Sequence, residues 1–254
     1  MGALPELFLP LVRDPRRSAL FLDFDGTLSP IVLDPVGARP WPGVSSVLAS
    51  LATRFGLVAV VSGRPADFLH EVLGSPAGVT LIGLYGLGQV GPDARPWEPA
   101  IAAAVEQARA EAPPGVYVEP KGLTVTVHWR QAPDAAPWAA AFAEAAALQH
   151  GLRSYPGRLS LELRPPLDVD KGTVIRALAG AMKAVAVFGD DLGDLPAFEA
   201  VRELAAEGLA VALVAVTDAE SDGRVAAAAD LQVDGPAGAL ALLEQLVEAV
   251  PPVA

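Results

Sequence analysis

Two aspartates spaced two residues apart, Asp23 and Asp25, follow the apolar run Ala19-Leu20-Phe21-Leu22 in the segment Asp23-Phe24-Asp25-Gly26-Thr27-Leu28. On an extended chain, residues i and i+2 project to the same side, so both carboxylates are expected to face one site. One carboxylate of such a pair can attack phosphorus and form an aspartyl-phosphate. The other can protonate the departing alkoxide and then take a proton from the water that hydrolyses the intermediate. Gly26 permits the tight turn that follows. Taken alone, an Asp-x-Asp at a strand end fits a plain turn or helix cap better, so the chemistry depends on the residues around it.

Three further groups of polar residues stand in comparable positions. Asp190 and Asp191 follow the run Ala184-Val185-Ala186-Val187-Phe188-Gly189, with Asp194 three residues on. Clustered carboxylates repel one another unless a cation neutralises them, and Mg²⁺ is bound through a few carboxylates, waters and substrate phosphate. Asp191 or Asp194 capping the next helix is the plainer alternative. Ser62, in Ser62-Gly63-Arg64, ends the run Leu57-Val58-Ala59-Val60-Val61 and offers a hydroxyl and backbone N–H groups to a phosphate oxygen. Arg64 adds a fork of donors suited to phosphate. Lys171 opens a helix, where its charge opposes the helix dipole, so ion pairing or phosphate binding is the more attractive role. In chain order these residues make up the parts of a phosphoryl-transfer site: nucleophile, acid/base, hydroxyl, lysine and metal.

The elements that must position them are short apolar strands alternating with helix-length segments. Continuous apolar runs, as at 19–22, 57–61 and 184–188, indicate strands buried on both faces, and the repeating βα order predicts a doubly wound, mostly parallel α/β domain. The middle of the chain differs. Thr124-Val125-Thr126-Val127-His128 alternates, which suggests a sheet with one face covered and one open. Helices are expected near 100–110 and 137–149, with strands at 116–119, 123–129 and 160–163. The organisation expected is therefore a core of residues 1–88 and 166–254, interrupted by an inserted α+β domain over 89–165.

Composition sets the outer limits. A chain of 254 residues that is 52% hydrophobic and 19% charged is globular and long enough to bury a core. A net charge of −12 repels nucleic acid and anionic membranes, so neither is an expected partner, and a phosphate site must supply its own positive field. There is no cysteine, which excludes thiol chemistry and disulfides. Met1 to Glu6 carry no basic segment leading into an apolar stretch, and Gly and Pro interrupt the uncharged stretch 74–92. A cytoplasmic monomer is the expectation.

These stations resemble the four motifs of the haloacid dehalogenase superfamily of phosphatases, over about residues 19–247. The resemblance implies a Rossmann-like core, Asp23 as nucleophile, Asp25 as acid/base, and Ser62 and Lys171 on the transferring phosphoryl group. It further implies Mg²⁺ held by Asp23, the Asp25 carbonyl and Asp190, with Asp191 or Asp194 as further ligands. The mid-chain insertion is similar to the superfamily's type IIB cap, whose members act mostly on sugar phosphates. Within that group, Leu28-Ser29-Pro30-Ile31-Val32, Asp34-Pro35, Ser62-Gly63-Arg64, Glu119-Pro120-Lys121, His128-Trp129-Arg130 and Leu161-Glu162-Leu163-Arg164-Pro165 resemble the trehalose-6-phosphate phosphatase family.

That resemblance implies that Glu119, Lys121 and Glu162 grip trehalose hydroxyls, with His128 and Arg130 among the substrate-binding residues and Arg64 acting at the cap–core interface. It also implies a role in trehalose biosynthesis. Without it, Glu119–Lys121 and Glu162–Arg164 are ordinary exposed ion pairs. Two segments depart from the family pattern: Gly83-Leu84-Tyr85-Gly86 has Tyr where the family has His, and Gly189-Asp190-Asp191-Leu192-Gly193-Asp194-Leu195 lacks its Thr-Asp-Glu. Both bear on substrate choice. The alternatives are a phosphatase of another sugar phosphate, such as sucrose 6-phosphate, a glucosyl- or mannosyl-3-phosphoglycerate or a hexose phosphate, and a non-catalytic sugar-phosphate sensor.

Overall fold

The computed structural model describes residues 3–251. They form two compact units, one built from the residues up to Gly86 together with those from Asp170 onward, the other from Leu87–Val169. The chain begins with helix α1 (Leu9–Arg13), strand β1 (Ser18–Leu22), α2 (Val44–Ala52), β2 (Leu57–Val61), α3 (Ala66–Leu73) and β3 (Thr80–Ile82). The second unit contains α4 (Glu98–Glu111), β4 (Tyr117–Pro120), β5 (Val125–His128), α5 (Ala136–His150), β6 (Arg153–Gly157) and β7 (Ser160–Arg164). The chain returns to the first unit as α6 (Lys171–Ala179), β8 (Ala184–Gly189), α7 (Leu195–Ala206), β9 (Ala210–Thr217), α8 (Gly223–Ala228), β10 (Leu231–Asp234) and α9 (Gly235–Ala249).

In the first unit the six strands pair in parallel in the order β10-β9-β8-β1-β2-β3. All five residues of β1 and all six of β8 are buried, because helices cover both faces of the sheet and continuous apolar runs satisfy both. Leu20 and Leu22 pack into a cluster with Phe8 of the segment before α1, Leu48 and Leu51 of α2, and Leu243 and Leu246 of α9. Burying each such side chain stabilises the fold by about 1.5–3 kcal/mol. Strand order reverses at β1: the chain moves outward through β2 and β3 on one side, and later through β8, β9 and β10 on the other. This is the topological switch point at which open α/β sheets bind ligands, beyond the strands' carboxyl ends.

The second unit is a four-stranded antiparallel sheet in the order β4-β5-β7-β6, with α4 and α5 on one face. Val125, Val127 and Leu163 point to the helices and pack with Ile101, Ala104, Phe142 and Ala146. The alternating residues Thr124, Thr126 and Glu162 point to the other face. Alternation in β5 predicts that this second face is open, and the structure corrects the expectation: Thr124, Thr126 and Glu162 are all buried. The long side chains of Lys121 and Arg164 lie against Glu162, and the Thr124 hydroxyl donates to its carboxylate, so a polar cluster covers the strand.

Two strands escape the hydrophobic pattern, and both are edges. β6 reads Arg-Ser-Tyr-Pro-Gly, and its proline is tolerated because an edge strand leaves one side unpaired. β10 has only four residues, Leu-Gln-Val-Asp, too few to register as an apolar run.

Candidate active site

The β-sheet register brings the polar residues after three strands together. Leu22 lies opposite Val60 of β2 and Phe188 of β8, so Ser62 and Asp190 each stand two residues beyond a partner of Leu22, on either side of Asp23. The Asp23 N–H donates to the Phe188 carbonyl at 3.0 Å, continuing the ladder one residue past β1. Asp23 is buried, and so are Ser62, Asp190, Asp194 and Lys171. Gly26 has φ +84°, and a β-carbon there would lie 2.0 Å from Asp190 Oδ2. Only glycine lets the turn after β1 pass so close to the carboxylate after β8.

Lys171 is the first residue of α6, which Asp170 caps by accepting from the Thr173 N–H at 2.8 Å. From that position its ammonium donates to Asp23 Oδ1 at 2.5 Å and Asp194 Oδ1 at 2.6 Å. Burial opposes the lysine's charge, but Asp194 and Asp23 outweigh it and hold Lys171 well above its ordinary range. Burial is also the largest influence on Asp23 and pushes its carboxyl upward; Lys171 pulls it down, and Asp194 and Asp191 push it up again. The lysine is therefore held in its cationic form, and added positive charge would favour the ionised form of Asp23.

Asp194 and Asp191 have structural duties. Asp194 Oδ2 accepts from the N–H groups of Asp190 and Asp191 at 3.0 and 3.3 Å. Asp191 caps the turn Leu192–Asp194, accepting from the Gly193 N–H at 2.8 Å, so the helix-capping alternative describes Asp191. Asp23, Asp190 and Asp194 each offer a carboxylate oxygen, all within 4.8 Å of one another. Three buried carboxylates facing one ammonium, with oxygen donors only, fit a hard divalent cation. The Asp25 side chain is engaged elsewhere.

Arg64 grips Asp25 with both arms of its fork, Nε to Oδ2 at 2.7 Å and Nη2 to Oδ1 at 2.8 Å. Its Nη1 donates to the Pro35 carbonyl at 3.0 Å, and its guanidinium lies 4.7 Å from the Phe68 ring centre. The arginine read in the sequence as a phosphate donor or interface residue is thus committed to the acid/base candidate. Ser62 is held by its N–H to the Ile82 carbonyl at 3.0 Å, and its Oγ accepts from the Arg64 N–H at 3.2 Å. The hydroxyl proton is the part left to donate to a ligand.

In the second unit the register aligns Glu119, Thr126, Glu162 and Tyr155 across four strands. Lys121 lies 3.6 Å from Glu119 and 3.4 Å from Glu162, and the His128 Nε2 is 2.9 Å from Glu119 Oε2. Arg164 binds Glu162 Oε2 through Nε at 2.8 Å and Nη2 at 2.7 Å, and Thr124 donates to Oε1 at 2.8 Å. Burial raises the Glu162 carboxyl, but Lys121 and Arg164, with the hydrogen bonds from Thr124 and Arg164, bring it down to about 2. Glu119, Lys121, His128 and Glu162 therefore meet in one cluster, and the pairs are half-buried to buried rather than exposed. Arg130 stands in the turn after β5. Thr124 joins the cluster without having been singled out as a site residue, its signal being the i, i+2 spacing from Thr126, and Arg164 joins it through the ion pair with Glu162 that the sequence suggested.

The parallel sheet, with Asp23 beyond its switch-point strand, has the fold of haloacid dehalogenase-like hydrolases. One of these, from Bacteroides thetaiotaomicron, shares the fold with a TM-score of 0.57 at 15% identity, over 90% of this chain and 99% of that one. More narrowly, the family model described as trehalose-phosphatase matches residues 21–236, and the chain belongs to that family. A trehalose-phosphate phosphatase of Mycobacterium avium is 38% identical over 252 residues, covering 92% of this chain. The chain spans only 63% of that relative's length. A crystal structure described as a trehalose-6-phosphate phosphatase related protein superposes with a TM-score of 0.75 at 25% identity, over 91% of this chain and 97% of that one. Among the described residues no helix is long and apolar enough to cross a membrane.

Proposed function

We propose that this chain is a Mg²⁺-dependent phosphatase that hydrolyses trehalose 6-phosphate to trehalose and inorganic phosphate through an aspartyl-phosphate on Asp23. The observation that carries the chemistry is the buried contact of Asp23 with Lys171 between Ser62 and the 190–194 loop. Family membership and the mycobacterial relative support the choice of substrate. The substrate-binding role falls to Glu119, Lys121, His128, Arg130 and Glu162, since carboxylates accept from sugar hydroxyls and lysine donates to hydroxyl oxygens.

In the first half-reaction an Asp23 oxygen attacks phosphorus, the bond from phosphorus to the sugar oxygen breaks, and the departing alkoxide takes a proton from Asp25. In the second, Asp25 removes a proton from water, whose oxygen attacks phosphorus and breaks the bond to Asp23. That returns Asp23 as a carboxylate and releases phosphate. Protonation removes the carboxylate's charge and so weakens both bonds that Asp25 accepts from Arg64. Ser62 donates to a phosphoryl oxygen, and Lys171 offsets the repulsion between the carboxylate and the phosphate dianion. Asp23 and Asp190, with Asp194 beside them, would hold Mg²⁺, which when bound would supply the remaining positive charge. Solubility in the cytoplasm and a monomeric state complete the proposal.

Asp23→Asn tests the nucleophile. Phosphate release should fall below detection while the circular dichroism spectrum and Tm stay close to those of the parent. Turnover near the parent value in a folded D23N protein would rule out the mechanism.

A further inference from the structure

Beyond β3 the backbone takes an unusual path. Leu84 and Tyr85 have φ of 50° and 58°, followed by Gly86 at 93°. For bulky residues this left-handed region is a genuine outlier, and it persists only where the surroundings over-determine it. Here they do. The Leu84 N–H donates to the Arg64 carbonyl and the Tyr85 N–H to the Ser62 carbonyl, both at 2.9 Å, which ties the segment to the loop after β2.

The bent backbone delivers the Tyr85 ring to two loops of the site. A β-carbon on Gly63 would lie 2.3 Å from the Tyr85 Oη and 2.5 Å from its Cζ, so the tip of the ring occupies the space that a side chain would need beside Ser62. A β-carbon on Gly193 would lie 3.9 Å from Tyr85 Cε1, which places the ring's other edge at the loop of Asp190, Asp191 and Asp194. The ring spans two glycines, one beside the hydroxyl proposed to bind phosphate and one within the acidic loop proposed to bind metal.

We infer that Tyr85 is a positioning residue: its ring wedges between the Ser62–Gly63 loop and the 190–194 loop and sets their spacing around the phosphoryl group. The contact is steric: the phenol oxygen lies nearest Gly63 but the ring fills the space between the two loops, so losing the whole ring should cost more than losing the hydroxyl. The inference rests on the phosphate-binding part of the proposed function. Misplacement of reacting groups by about 1 Å costs roughly 100-fold in rate, which sets the scale of the effect.

The test measures turnover of an aryl phosphate with Mg²⁺, binding of inorganic phosphate by calorimetry, and Tm, for Tyr85→Phe, Tyr85→Ala, Gly63→Ala and the double variant. Tyr85→Phe should stay within about threefold of the parent in both binding and turnover. Tyr85→Ala should lose about 100-fold in kcat/KM and about tenfold in phosphate affinity at temperatures where it is fully folded. Gly63→Ala should be severe in the parent and cost less than about tenfold more once Tyr85 is Ala, because the clash has been removed. Should Tyr85→Ala not fold, Tyr85→Leu takes its place.

Parent-like phosphate binding in Tyr85→Ala, equal losses in Tyr85→Phe and Tyr85→Ala, or an unchanged cost of Gly63→Ala in the two backgrounds would each overturn the wedge. An active parent with unaffected Tyr85 variants removes this inference alone. A parent that neither binds nor releases phosphate removes the proposed reaction with it.

Discussion

At the scale of single residues, the pairing of Arg64 with Asp25 has the clearest chemical consequence. A carboxylate held on both oxygens by one guanidinium is fixed in direction as well as charge, which lysine cannot reproduce because its ammonium is a single point. Arg64 is itself fixed by Pro35 and Phe68, so the pair forms a rigid unit. Losing a hydrogen bond to a charged group costs about 1.5–3 kcal/mol, or about 10- to 150-fold in a rate that depends on it. Arg64→Lys should therefore lower kcat about tenfold or more with little change in KM, measured by steady-state phosphate release. A rise in KM with kcat intact would show instead that Arg64 acts on the substrate.

At the scale of elements, the β4-β5-β7 face is held by charge as much as by packing. Glu162 has an ordinary carboxyl value of 4.5 and stands at about 2 in the fold. A carboxyl lowered by folding adds stability that is fully present above 4.5 and is lost as pH falls through the folded value. The difference amounts to about 3 kcal/mol. Denaturation of the parent should therefore show a loss of stability between pH 4.5 and pH 2 that Glu162→Gln lacks, the variant being already less stable at pH 7. An identical acid profile in the two proteins would contradict the assignment.

The elements that position the chemistry were legible because β1, β2 and β8 are uninterrupted apolar runs, each ending on a polar residue. β6 and β10 were not, because edge strands carry proline, glycine and polar residues that the pattern assigns to loops. Which charges pair with which was equally hidden. Arg64 reaches Asp25, and Lys171 reaches both Asp23 and Asp194, only because β1 lies between β2 and β8. Apolar runs carry no record of that order.

At the scale of the whole molecule, the net charge of −12 makes any phosphate site a local exception, and Lys171 and Arg64 are the cations the sequence offers for it. The structure spends both on carboxylates: Asp25 for Arg64, and Asp23 with Asp194 for Lys171. The first unit's site therefore keeps an excess of negative charge, which fits the divalent cation of the proposed function. The measurement that tests the account most directly is inorganic phosphate release from trehalose 6-phosphate, sucrose 6-phosphate, glucose 6-phosphate and glucosyl-3-phosphoglycerate, each with Mg²⁺ and with EDTA. Release should be abolished by EDTA, restored by Mg²⁺ and strongest with trehalose 6-phosphate. Preference for another sugar would overturn the roles of Glu119, Lys121 and Glu162, and no release from any of the four would contradict the proposed function outright.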